Sequence, residues 1–179
     1  MTNSPSIKLL GKALTLLFVA IFVAACSSTD TQTSTEDADA AARAAAEEQR
    51  LADERARAEA TAAELRDLER AARAAGTVFY FDFDSSTLRA DAQAALDAHI
   101  ALLKTNSRNV RLEGHTDERG TRDYNLALGE RRANSVRDYM VVNGIASYRI
   151  ETVSFGEEQP EAYGSSESNW SQNRRVELK

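Results

Sequence analysis

Apolar and polar positions divide this 179-residue chain into four stretches with different periodicities. Lys8 and Lys12 precede an apolar run over residues 13–25, which ends in small residues before Cys26. A basic flank, a short apolar core and small residues at its end predict an export signal over residues 1–25, removed on maturation. The run falls short of the roughly twenty residues that a spanning helix needs. Residues 27–35 carry only Ser, Thr, Asp and Gln, so a flexible tether is predicted over 26–35.

Residues 36–75 change composition sharply to Ala, Glu, Arg and Asp, with Leu51, Leu65 and Leu68 as the large apolar residues. Alanine and straight-chain charged residues favour helix, and Gly76 supplies a stop, so 36–76 is predicted as a helical spacer. Arg50 with Glu54 and Asp53 with Arg57 place opposite charges four apart, which supports such a helix locally. Three leucines do not sustain a heptad seam. A solvated single helix spanning roughly 60 Å is the reading, with weak self-association through alanine faces as its alternative.

From residue 77 onward the pattern is that of a folded domain. TVFYFDF, residues 77–83, is β-branched and aromatic and predicts a strand ending in a polar turn; Asp84-Ser85-Ser86 offers a cap for a helix over 89–105, where Leu96, Ile100 and Leu103 recur at helical spacing. Residues 109–113 alternate Val110 and Leu112 with polar neighbours, as a half-buried strand does, and Gly114 is expected to end it. Leu128, Ala133, Val136 and Met140 mark a second helix over 124–143, stopped at Asn143-Gly144. Residues 150–155 and 174–179 read as the last two strands, and 156–173, rich in Gly, Pro and Ser without periodicity, as a long surface loop. The order βαβαββ, with both helices on right-handed crossovers, predicts an α/β two-layer sandwich over 77–179.

Charge and composition then narrow the chemistry. The domain carries sixteen acidic and thirteen basic residues, so its balance does not favour nucleic acid, despite the pairs Arg131-Arg132 and Arg174-Arg175. Ser85, Ser86 and the serines of 165–168 lack a glycine elbow and a histidine partner, which argues against an enzyme; no catalytic residue is assigned. His99 lies beside the apolar stripe of the first helix and reads as a packing residue. His115 reads as a loop hydrogen-bonding residue, since no cysteine or spaced second histidine completes a metal shell, and neither metal nor cofactor is expected.

The most informative stretch is 114–134, GHTDERGTRDYNLALGERRAN, which is more polar than a core requires and sits between a strand and a helix, where α/β sheets bind ligands. Asp117 in this loop and Arg132 on the following helix can clamp a zwitterion, the carboxylate taking an ammonium and the guanidinium a carboxylate. Spacing alone leaves open that the two simply pair with each other or cap the helix.

Four motifs in order, FDFDSSTL at 81–88, GHTDERGTRDYN at 114–125, LGERRANSV at 128–136 and NRRVEL at 173–178, resemble those of the OmpA-like peptidoglycan-binding domain family, and in particular its lipid-anchored branch. That resemblance implies as ligand the diaminopimelate side chain of the peptidoglycan stem peptide. It also implies binding roles for Asp117 and Arg132, first-loop contacts from Phe83 and Asp84, a pocket wall at Leu128, and supporting roles for Asn125 and Arg175. The lipid-anchored branch often has alanine where this chain has Thr116, as wider OmpA-like domains do. Val23-Ala24-Ala25-Cys26 resembles the lipobox of bacterial lipoproteins, which implies a covalent lipid on Cys26, and Ser27 rather than aspartate after it points to the outer-membrane bilayer. The resemblance further implies TolB, a periplasmic propeller protein, as a partner. A wall anchor outside the Tol system, or chiefly a TolB-binding hub, are the alternatives.

Overall fold

The structure, a computed structural model, describes residues 31–179, with side chains from residue 37. The predicted signal segment, Cys26 and the first half of the tether lie outside the described residues. The described residues divide into two units, one ending at Gln49 and one covering Arg50–Lys179.

Helix α1 is the unbroken Thr31–Ala75. It begins inside the segment expected to be a tether, because Thr, Ser and Gln cost a growing helix only a few tenths of a kcal/mol each when an alanine-rich stretch follows. Every side chain from residue 37 to 67 is exposed, and the first to be buried is Ala72. Gly76, with φ of 73°, ends the helix in the left-handed conformation glycine adopts without strain. Arg70 pairs with Asp67 at 2.8 Å on the exposed surface of its last turns.

The domain follows as β1 (Val78–Tyr80), α2 (Ala90–Lys104), β2 (Val110–His115), α3 (Arg122–Val142), β3 (Ile150–Gly156), α4 (Glu167–Asn173) and β4 (Arg175–Leu178). The sheet order is β1-β4-β2-β3, with β2 and β3 parallel and β4 antiparallel to both β1 and β2. The two-layer α/β sandwich is as the pattern predicted. Phe79, Leu112 and Val176 share one face of the sheet and pack with Leu96 and Ile100 of α2 and Val136 and Met140 of α3. Each such side chain contributes about 1.5–3 kcal/mol through the apolar area it removes from water.

Four local expectations are corrected. Strand β1 stops at Tyr80, because residues 82–85 turn the chain, and Asp82 and Ser85 supply their carbonyls to Arg132 of α3 instead of to a ladder. The N-cap of α2 is Arg89 without a side-chain bond; Ser85 Oγ accepts from Thr87 N at 3.1 Å within the preceding turn rather than capping the helix. Gly114 does not end β2, which runs to His115. The absent side chain lets α3 lie against the strand there: a Cβ on Gly114 would sit 2.0 Å from the carbonyl oxygen of Gly129. Finally, the loop of 156–173 ends in α4, too short for a periodic signal. Its last residue, Asn173, is buried and holds the loop by accepting from Glu161 N and Ala162 N at 2.8 and 2.9 Å and donating to Ala162 O.

His99 is the packing residue its position suggested. It lies edge-on to Phe79, and its Nε2 is 2.6 Å from Gly76 O, joining α2 to the end of α1.

Candidate functional site

A cavity of about 210 Å³ opens at the carboxyl ends of the parallel strands β2 and β3, between the first-loop segment after β1 and the start of α3. Phe83, Asp84, Asp117, Asn125, Leu128 and Arg132, all predicted from sequence, line it, as do Thr116, Arg119 and Tyr124. Arg175 does not. It projects from β4 and pairs with Glu177 at 2.6 Å while donating to Gln159 O, so its role is to hold the segment after β3.

Each wall follows from local sequence. Thr121 caps α3 by accepting from Tyr124 N at 3.3 Å, so Asp117 is free of the capping role left open above. With the helix started there, Asn125, Leu128, Gly129 and Arg132 fall at steps of three, one and three on the face turned to the sheet, and all are buried. Gly129 is what admits the polar ones: a Cβ there would come within 2.4 Å of Ser154 Oγ and 2.9 Å of Gly114 O, so only glycine lets this half of α3 touch both strands. Asp84 adopts φ of 52°, a left-handed conformation that aspartate tolerates better than most residues, and its carboxylate accepts from the Tyr124 hydroxyl across the cavity mouth. Asn125 donates to the Glu157 carboxylate.

Arg132 is fully buried, at 0% exposure, and joins three segments: it donates to Ser85 O at 2.8 Å, His115 O at 2.9 Å and Asp82 O at 3.2 Å. Among the described residues no carboxylate lies within ion-pairing distance of it. Burial pushes its guanidinium down to about 10, against the raising influence of Asp117. It remains charged at neutral pH, and its direct hydrogen-bond partners are neutral carbonyls.

Asp117, 4% exposed, does not pair with Arg132, the alternative that spacing left open. Its Oδ1 accepts from Arg119 N and Nε at 3.2 and 3.0 Å, and its Oδ2 from Arg119 Nη2 at 2.7 Å and Arg174 Nη1 at 3.2 Å. Burial by itself would raise the carboxyl; the hydrogen bonds from Arg119 and Arg174 outweigh it and hold the group below the ordinary carboxylate range. Arg119, whose part in binding or in stiffening the loop the sequence left open, and Arg174, which it did not single out, are the partners of Asp117. Arg174 lies 57 positions from Asp117, and nothing in its local pattern points to the pairing. The guanidinium of Arg119 lies between the rings of Phe83 and Trp170, 4.1 and 4.0 Å from their centres.

His115 departs from expectation. It is 1% exposed and stacks on Phe155 with ring centres 5.5 Å apart, and both ring nitrogens are buried without a hydrogen-bond partner. The residue is a packing element of the outer sheet face, and burial, then the charge of Arg175, pushes its imidazole down to about 4.

A sandwich of this topology with a charge-lined pocket at the ends of its parallel strands defines a small ligand-binding domain. The OmpA family profile matches residues 80–174. Over 111 residues the chain is 56% identical to the peptidoglycan-associated lipoprotein of Pseudomonas putida, a match covering 62% of this chain and 67% of the relative. The crystal structure of the peptidoglycan-associated lipoprotein from Burkholderia pseudomallei superposes with a TM-score of 0.57 at 45% identity, covering 58% of this chain and 89% of that one. The OmpA-like domain of FopA1 from Francisella tularensis gives 0.50 at 30% identity, over 56% of this chain and 68% of that one. The chain belongs to the OmpA family, within its group of peptidoglycan-associated lipoproteins.

Proposed function

We propose that this chain is a non-enzymatic, lipid-anchored protein that binds peptidoglycan and ties the outer membrane to the cell wall. The observation that carries the reading is Arg132: a buried guanidinium lining a cavity, with carbonyls but no carboxylate around it, is complementary to a ligand that brings an anion. Asp117, on the same cavity, accepts cationic donors. A ligand with an ammonium and a carboxylate on one carbon answers both, and the free end of diaminopimelate in the peptidoglycan stem peptide has that chemistry. Phe83, Leu128 and Tyr124 supply apolar walls for its methylene chain. The names of the relatives, peptidoglycan-associated lipoproteins, support the same ligand. The site is a binder's site, since Asp117 and Arg132 both hold their charge at neutral pH rather than being poised to move a proton.

The lipobox-like sequence before Cys26 supports the membrane anchor, and the exposed α1 supports a spacer between that anchor and the wall-binding domain. The resemblance of the motifs supports a place in the Tol-Pal system, in envelope integrity and cell division, with TolB as partner.

The test is co-sedimentation with purified sacculi. Asp117→Asn and Arg132→Lys keep the shape of the site and remove one charge or the fork geometry, and each is expected to weaken binding by more than about tenfold. Circular dichroism verifies that the variants fold. Sedimentation of both variants to the parent level sinks the assignment.

A further inference from the structure

We propose that Arg119 determines the specificity of the pocket: its guanidinium occupies on Asp117 the place an incoming ammonium takes, and yields it only to a ligand that also brings a carboxylate to Arg132. This rests on the zwitterion-binding function above.

A carboxylate offers about four acceptor positions. On Asp117 all are filled, two on each oxygen, by the backbone and side chain of Arg119 and by Arg174. An ammonium therefore cannot add to Asp117; it must replace a donor. Arg174 is fixed. Its side chain is 7% exposed and also donates to Phe81 O at 3.1 Å and to the Glu167 carboxylate at 2.5 Å. Arg119 is the donor that can leave, being 30% exposed and already close to its alternatives. The rings of Phe83 and Trp170 hold its guanidinium from two sides, and Glu167, an exposed carboxylate, lies 3.8 Å from its Nη2. A small swing carries Arg119 from Asp117 to Glu167 without leaving its aromatic platform.

The selectivity follows from the charge count. An ammonium that displaces Arg119 from Asp117 makes no net new ion pair there and adds a positive charge beside a guanidinium that stays close by, so a ligand with only an amine gains little from entering. Arg132 has no anionic partner among the described residues, so a carboxylate delivered there is a net gain. A zwitterionic end thus offsets the displacement of Arg119, and a plain amine such as a lysine side chain does not. The unfavourable exchange rejects the amine-only ligand, which is selection by a repulsive element as well as an attractive one.

Trp170 makes the movement observable. It is the sole tryptophan of the chain, it is absent from the cavity wall, and it touches the guanidinium of Arg119. The experiment titrates the chain with two stem tetrapeptides that differ only at the third residue, diaminopimelate or lysine, following Trp170 emission and competition with sacculi together. The diaminopimelate peptide is expected to shift the emission saturably at the concentrations that release the chain from sacculi, and the lysine peptide to need at least about tenfold more. Arg119→Gln is expected to shrink that preference about tenfold by strengthening the lysine peptide, with Arg119→Lys in between. Competition by the diaminopimelate peptide with unchanged Trp170 emission overturns the proposal, as does an Arg119→Gln variant that weakens both peptides equally. If Arg119→Gln does not fold, the emission titration of the parent decides. A parent chain that fails to bind sacculi removes the wall-binding function and this inference with it; a parent that binds, with emission and preference both unmoved, removes only this inference.

Discussion

Helices α1 and α3 are both rich in arginine and acidic residues, yet one is a solvated rod from residue 37 to 67 and the other builds the pocket. The difference lies in what each meets. In α1 the only apolar content is alanine and three leucines, so the helix stands on intrinsic propensity and local charge pairs. In α3 the polar residues Asn125 and Arg132 alternate with Leu128, Gly129 and Ala133 on a buried face, and β2, the first loop and Glu157 supply their partners. A charged residue on α1 is a surface feature, while one on α3 becomes a site because neighbours on β2 and the first loop remove it from water.

The contrast breaks most severely at the contact between α3 and β2. Gly114→Ala places a Cβ at 2.0 Å from the carbonyl oxygen of Gly129, backbone against backbone, and is expected to destabilise the domain by about 3 kcal/mol or more. Urea unfolding of the variant measures this, and an unchanged midpoint means that α3 can withdraw from the sheet freely.

A second effect of similar origin appears with pH. His115, whose carbonyl accepts from Arg132, has a folded-state imidazole near 4 against an ordinary value of 6.5. Above pH 6.5 neither state takes up the proton, and stability is unaffected. As pH falls from 6.5 to 4 the unfolded chain is protonated and the folded one is not, so about 3 kcal/mol of stability is lost across that window. His115→Leu is expected to flatten the slope of the urea midpoint between those pH values, and an unaltered slope places the titration elsewhere. As pH falls through the ordinary carboxylate values, 4.5 for Glu177 and 3.8 for Asp117, these depressed carboxyls add a further loss of the usual carboxylate sign, which overlaps the lower end of that window.

The smallest effect belongs to α1. Ala44→Gly, at an exposed position, is expected to lower helicity at 222 nm with a local cost of about 1 kcal/mol, while the unfolding midpoint of the domain stays where it was. A shift of that midpoint means that the two are coupled.

The helices and strands of the domain were legible because their apolar periods are undisturbed: Leu96, Ile100 and Leu103 in α2, Val110 and Leu112 in β2. Misreadings fall where one residue type serves two purposes. Gly114 reads locally as a terminator, and only the presence of Gly129 opposite it shows that it is a contact point inside a strand. Asn173 reads as loop composition, and its three hydrogen bonds to the 161–162 backbone depend on how far that loop folds back. Asp117 and Arg132 were singled out by their place between a strand and a helix, and both line the cavity; Arg119, which makes three of the four bonds to Asp117, is its neighbour in the loop, while Arg174 and the carbonyls around Arg132 come from other segments.

The sequence by itself determined the long alanine-rich helix, the order of the four strands and of the helices α2 and α3, the core stripe and the polar stretch from residue 114 to 134, because propensity and periodicity act over a few residues. Tertiary structure alone decided which charges pair. Arg119 and Arg174 converge on Asp117, while Arg132 is left with the carbonyls of Asp82, Ser85 and His115. Arg119 is only two residues from Asp117, but whether it, Arg132 or Arg174 takes the carboxylate depends on distance and burial among segments tens of residues apart, and those are set only when α3 comes to rest on the sheet.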